Sequence, residues 1–324
     1  MKKILIVTSK ADLHSDYISE RLAEKGVEYV RFDADELVRD LFVSYTEKSG
    51  HCVWQTKGGN KQILFVSGEI SAVWYRKPFI TKYDRVHQET TIAFAGRETD
   101  AYLRDWNICF PVNCKWVNHP DANRAADNKL YQLRLAKKLG FQTPRTLASN
   151  DPDAVKDFAN QLAPKKMIYK TLSHPFISET ANLFRSVFTS VVELSPQLED
   201  SVRLAPCLFQ ECVEKAYELR VTVVGAKTFT TRIFSQDQAE TKIDWRRDQH
   251  KVQLRQELIM LDPVIENLCV ELVKQLGLTF GAIDLIVTPT GDHVFLEINP
   301  NGQWLWVEMI LGSKISEALI EELT

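Results

Sequence analysis

The chain of 324 residues contains no uninterrupted apolar run near the roughly 18 residues that a membrane-spanning helix needs, which excludes a helical membrane protein. Its opening run, MKKILIV, gives way at Thr8, Ser9, Lys10 and Asp12, too early for a secretory-signal core, and reads as a buried first strand. A soluble, cytoplasmic protein is therefore expected. Cysteine is sparse: the six residues at 52, 109, 114, 207, 212 and 269 form no CxxC pair, which excludes a disulfide scaffold and favours reduced thiols. Cys109, Cys114 and His119 lack the second tight pair of a zinc site. The first βα turn, TSKADLHSD, has no glycine, so a dinucleotide-binding Rossmann unit is excluded. Neither sign of charge dominates, and a net charge of −3 speaks against a nucleic-acid partner. There is no internal repeat or low-complexity tract. With 44% hydrophobic and 26% charged residues, the chain has the composition of a globular protein with real cores.

The most informative stretch is Gly281 to Trp304, GAIDLIVTPTGDHVFLEINPNGQW. Two β-like runs, GAIDLIVTP and HVFLEINP, flank the turn residues Thr290, Gly291 and Asp292, so a hairpin is expected. Glu297 and Asn299 are two apart and share one face of their strand; the antiparallel return brings Asp284 beside them. Two carboxylates and an amide are the hard oxygen donors that Mg²⁺ prefers, and Mg²⁺ completes its shell with water and substrate phosphates. Asp284, Glu297 and Asn299 are the candidate metal ligands.

Along the chain, a βαβ start (strand 3–8, helix 16–25, strand 28–33) precedes short β-like runs between 41 and 75, read as one mixed sheet, and a helix over 91–106. Residues 1–117 form a first expected domain. A long helix over 123–139, a helix over 151–162 and the strand KKMIYKTL belong to a second, 118–207. The third, 208–324, holds LFQECV, ELRVTVVG, AKTFTTRIF, a helix over 263–276 and the hairpin. The fold class is α/β (α+β).

From residue 118 to the end, this order resembles the ATP-grasp superfamily, whose members hold ATP between two antiparallel sheets and activate carboxylates. The resemblance implies ATP and Mg²⁺ as cofactors. It implies that Lys129 in AADNKLYQ and Lys170 in MIYKTL reach the phosphates, that the hinge Glu211, Cys212 and Val213 reads adenine through backbone groups, and that Glu218 accepts the ribose hydroxyls. The chemistry of each role suits the residue. Ammonium groups act as mobile point charges for a triphosphate, and a strand edge offers the N–H and C=O pattern that an adenine edge requires. The loop TLSHPFISET, at 171–180, departs from the superfamily in having no glycine to cradle phosphate.

AVWYRKP (72–78), IDWRR (243–247) and NPNGQWLWVE (299–308) further resemble the graspetide maturases, including microviridin-type ligases, and extend the likeness to nearly the whole chain. The implied reaction joins Asp or Glu side chains of a ribosomal precursor peptide to Thr, Ser or Lys through an acyl phosphate. The implied partner binds by a leader at the central domain, near 184–193, and presents an acid-rich core; relatives suggest a homodimer. Arg220 and Arg232, flanking VTVVGAKTFTT, are the expected catalytic cations for the reacting carboxylate and phosphate. Arg76, Arg246 and Arg247 either hold acidic peptide side chains or make structural salt bridges. Trp304 and Trp306 either wall the acceptor site or pack the last helix. Two other readings keep the nucleotide site: a ligase joining a small acid or amino acid to an amine, and a nucleotide-binding protein without turnover.

Overall fold

Strand β1 (Lys3–Thr8), helix α1 (Leu13–Glu24) and strand β2 (Tyr29–Asp33) open the chain. The computed structural model describes residues 3–57, 62–78, 89–173, 176–180, 183–247 and 254–324. After the single turn α2 (Leu37–Asp40), β3 (Leu41–Thr46), β4 (His51–Thr56) and β5 (Ile63–Val66) pair antiparallel in a sheet of their own, not in the one mixed sheet expected. β6 (Ile70–Tyr75) returns to β1, and β7 (Lys115–Val117), after helix α3 (Glu89–Asp105), extends a parallel sheet of order β2-β1-β6-β7. The division follows burial. KILIVT is apolar on both faces, as a covered parallel strand must be, whereas β4 turns Cys52 and Trp54 inward to Phe32, Phe65 and Trp106.

The single helix expected over 123–139 is two, α4 (Pro120–Ala126) and α5 (Lys129–Leu139). Asn128 makes the break: its side chain accepts a hydrogen bond from the Tyr131 N–H at 3.1 Å and restarts the helix, so Lys129 becomes a first-turn residue. Gly140, at φ +111°, ends α5 in the left-handed conformation. β8 (Thr146–Ser149), α6 (Pro152–Leu162), β9 (Met167–Lys170), β10 (Phe176–Thr180), β11 (Leu183–Ser186), β12 (Ser190–Val192), α7 (Pro196–Leu204) and β13 (Cys207–Glu211) follow. They form an antiparallel sheet, β12-β9-β13-β8, backed by Val155, Leu162 and Val202 of the two helices, and a separate β10-β11 hairpin. The glycine-free loop lies partly outside the described residues, at 174 and 175.

The remaining chain runs β14 (Tyr217–Val224), β15 (Lys227–Ile233), β16 (Gln256–Ile259), α8 (Pro263–Gln275), β17 (Phe280–Val287), β18 (His293–Asn299), α9 (Leu305–Leu311) and α10 (Ile315–Leu323). The sheet order is β16-β15-β14-β17-β18, all antiparallel. β17 is buried along its whole length. Ile283, Leu285 and Val287 pack with Leu272 and Val273 of α8 and Leu135 of α5, each burial stabilising by about 1.5–3 kcal/mol; the alternate residues face the other way. α10 packs Ile315, Leu319 and Leu323 with Ile4, Ile6, Ile18 and Trp74 as well as with Val224, Phe280 and Ala282, so the last helix joins the first sheet and the C-terminal sheet in one core.

Candidate active site

The hairpin of β17 and β18 places Asp284 directly opposite Glu297 and Ala282 opposite Asn299. Facing residues of a ladder lie on one side of the sheet, so Asp284, Glu297 and Asn299 share the face turned away from α8. Asp284 is buried there because Arg220, its neighbour in register on β14, donates to both its oxygens at 2.7 and 3.2 Å. Glu297 sits among three cations: Lys129 Nζ at 3.4 Å, Lys170 Nζ at 3.8 Å and Arg246 Nη1 at 3.7 Å. Lys129 comes from the first turn of α5 and Lys170 from the end of β9, so helix, central sheet and C-terminal sheet converge on one carboxylate.

The two acids differ. Lys170 foremost, then Lys129 and Arg246, hold Glu297 well below the usual carboxylate range against the opposing effect of burial. Burial pushes Asp284 up, with Glu297 adding to the rise and Arg220 opposing it. Burial lowers Lys129, with Glu297 pulling the other way. Among the described residues no group of three or more His, Cys, Asp and Glu side chains is placed to hold a metal ion. The candidate donors remain two carboxylates and one amide, whose Oδ1 accepts the Asn301 N–H at 3.0 Å and keeps a second lone pair. As hard oxygen ligands on one face, they fit Mg²⁺.

Beside the carboxylates lies a cleft of about 250 Å³ lined by Ile168, Lys170, Gln210, the segment 211–215, Glu218, Trp245, Arg246, Ile286, Leu296 and Glu297. Its wall is the hinge. The Glu211 carboxylate engages Lys165 at 3.0 Å and the Arg145 N–H at 3.1 Å. The Cys212 N–H is spent on the Lys166 carbonyl at 2.8 Å. The Val213 N–H has no backbone partner among the described residues and adjoins the cleft. Glu218 is buried against Lys215 Nζ at 2.7 Å, and burial raises its pKa over the opposing pull of that lysine.

Arg232 is a correction. It lies opposite Leu219, not opposite Arg220, and alternation puts it on the other face of the sheet. There it pairs with Glu257 at 2.9 Å and stacks over Tyr217 at 4.5 Å, apart from the cleft. Arg76 does not face the cleft as a free peptide-binding cation either; it is buried, near Asp12. Trp304 packs in the core shared with the N-terminal sheet, whereas Trp306 reaches Trp245 at 5.8 Å. Arg246, one of the alternatives left open, is chelated by Asp244 at 2.9 and 3.0 Å and aimed at Glu297; the Asp-x-Arg spacing carries that geometry. Lys215 was missed, because a lysine in the loop before a strand has the pattern of a surface charge.

Residues 3–118 match the family model described as the MvdD pre-ATP grasp domain. Solved structures resemble the whole chain, among them the two that follow. The macrocyclase MdnC of Microcystis aeruginosa MRC, bound with precursor peptide MdnA, is 30% identical with TM-score 0.84, covering 100% of this chain and 99% of that one. A RiPP-associated ATP-grasp ligase of Chryseobacterium gregarium, in complex with ADP and a leader and core peptide, is 29% identical with TM-score 0.87, covering 100% and 96%. A curated relative from Desulfotalea psychrophila, named "Probable alpha-L-glutamate ligase", is 22% identical over 213 residues, which are 64% of this chain and 43% of that protein's length.

Proposed function

The chain belongs to the ATP-grasp macrocyclases, and from that premise we propose that it is an ATP-dependent ligase closing side-chain rings in a ribosomal precursor peptide. The observation that carries the reading is the Asp284–Glu297 pair, set among Lys129, Lys170, Arg220 and Arg246 beside a hinge whose Val213 N–H has no backbone partner among the described residues.

In this reading Val213 N–H and the Glu211 carbonyl take the adenine edge, Glu218 the ribose, and Lys129 and Lys170 the phosphates. Asp284, Glu297 and Asn299 would hold Mg²⁺, which when bound neutralises charge on the phosphates. A peptide carboxylate oxygen attacks the γ-phosphorus of ATP, the bond to the bridging oxygen breaks, and ADP leaves. A hydroxyl or amine of the same peptide then attacks the acyl carbon, loses its proton, and expels phosphate, which keeps the former carboxylate oxygen. Both steps bring anions together or develop an oxyanion, and fixed guanidinium groups lower that barrier; Arg220 and Arg246 are the cations placed for it. The products are ω-esters or isopeptides. The leader would add along the β12 edge, next to the loop where Asp244 accepts the Thr189 N–H at 3.2 Å and Arg247 donates to Ser190 Oγ at 3.0 Å.

Incubation with MgATP and an acid-rich precursor tests the reading by mass spectrometry. Each ring should remove about 18 Da, because condensation eliminates one water. A peptide that instead gains the mass of a free amino acid would support the glutamate-ligase alternative.

A further inference from the structure

The six residues after Asn299 run across the junction with the N-terminal sheet, and buried side chains hold their backbone one group at a time. Asn118 Nδ2 donates to the Pro300 carbonyl at 2.9 Å. Arg76 Nη1 donates to the carbonyls of Asn301 and Gly302 at 2.6 and 3.0 Å. Arg220, already on Asp284, reaches the Gln303 carbonyl at 3.5 Å. His14 Nε2 accepts the N–H groups of Trp304 and Leu305 at 3.2 and 3.3 Å.

These holders are themselves fixed. Arg76 is 2% exposed, and its guanidinium lies 3.6 Å from Asp12. Asp12 also stands 3.4 Å from His14 Nδ1, which leaves Nε2 as the acceptor that the two N–H groups require. The loop cannot move inward: a Cβ on Gly302 would lie 2.2 Å from the Cβ of Ala282, the residue opposite Asn299, and 3.5 Å from Arg220 Nη1. A buried guanidinium that bonds two successive carbonyls is suited to fixing a backbone path, since its donors are held in a rigid plane.

We propose that Arg76, with Asp12 and His14 behind it, is a positioning residue of the active site: the N-terminal sheet sets the path of Pro300–Leu305 and thereby the orientation of the Asn299 carboxamide and of Arg220. The inference rests on the reading of Asn299 as a metal donor. It gives the N-terminal sheet a part in the chemistry although, among the described residues, it contributes no group to the cleft wall. Second contacts of this kind tune metal sites by about 10–100-fold.

Calorimetric titration with ADP, with and without Mg²⁺, tests the proposal without turnover. For Arg76→Lys and Gly302→Ala, the gain in ADP affinity produced by Mg²⁺ should fall about tenfold or more, while Mg²⁺-free affinity stays at the wild-type value. An equal loss of affinity with and without Mg²⁺ would mean a merely structural role and overturn the proposal. So would a wild-type response to Mg²⁺ in the folded variants. If Arg76→Lys does not fold, Gly302→Ala decides by the same criterion. Asn299→Ala separates the two levels: if it loses the Mg²⁺ response and the other variants keep it, only the positioning role fails. If Asn299→Ala keeps the response, the metal reading fails and the positioning role with it.

Discussion

Asp284 and Glu297 face each other across β17 and β18 but are held by different cations, Asp284 by both arms of Arg220 and Glu297 by Lys129, Lys170 and Arg246. This division follows from where the cations originate. Arg220 is a ladder neighbour in the same sheet, so its contact is built by strand register alone. The three around Glu297 come from α5, from the central sheet and from the loop 243–247, so that contact forms only when the parts are assembled. Asp284 is thus fixed with its sheet, whereas the Glu297 contacts depend on how helix, central sheet and loop are assembled.

Glu297→Gln should reduce ADP release on the order of 10²–10³-fold, a loss of the size that follows removal of one preorganised electrostatic group from an active site. Near-normal release would contradict the assignment of Glu297 to the metal and phosphate site.

Arg220→Ala and Arg232→Ala should behave oppositely. The first leaves Asp284 buried without its partner, which destabilises by about 3–5 kcal/mol, and ends turnover. Arg232 has a side chain 30% exposed on the far face, so its removal should change stability by under about 1 kcal/mol and turnover by no more than about twofold. Urea unfolding and ADP release of both variants check the contrast; similar losses would contradict the face assignment.

Glu297 also sets a pH dependence. Its folded pKa lies below the ordinary value of 4.5, so its ionised form is favoured by folding. That contribution is complete above about pH 4.5, declines as pH falls below it, and disappears once the pH passes the lower folded pKa. The gap in unfolding free energy between wild type and Glu297→Gln should therefore be constant from pH 7 to about 5 and shrink in more acidic solution. A gap that widens on acidification would contradict the sign.

Glu211→Ala should change ADP affinity by no more than about threefold, because the carboxylate is held by Lys165 and the Arg145 N–H and the adenine contact proposed for this residue is its backbone carbonyl. Lys170→Ala should weaken binding far more. Equal losses in an equilibrium titration would place the adenine contact elsewhere.

Strand alternation made the Asp284, Glu297 and Asn299 face legible, since a hairpin with a clear turn fixes which residues are neighbours. Flanking the hairpin was not enough to place Arg232: its face is set by the register between β14 and β15, which depends on the turn at Val224–Lys227, and a shift of one residue moves a side chain to the opposite face. The helix break at Asn128 was in the sequence as an N-cap residue but was hidden by the apolar periodicity running through it. Arg76, His14 and Asn118 were not legible as a set, because their common partner is the backbone of a loop more than 180 residues away, and backbone partners leave no mark in side-chain patterns.

The central claim is that ATP activates a peptide carboxylate before ring closure. A precursor whose Asp and Glu carboxylates carry ¹⁸O tests it directly, with the released phosphate analysed by mass spectrometry. The account predicts one ¹⁸O in inorganic phosphate for each ring formed, since the attacking carboxylate oxygen leaves with the phosphoryl group. Unlabelled phosphate accompanying crosslinked product, or AMP and pyrophosphate in place of ADP, would contradict it.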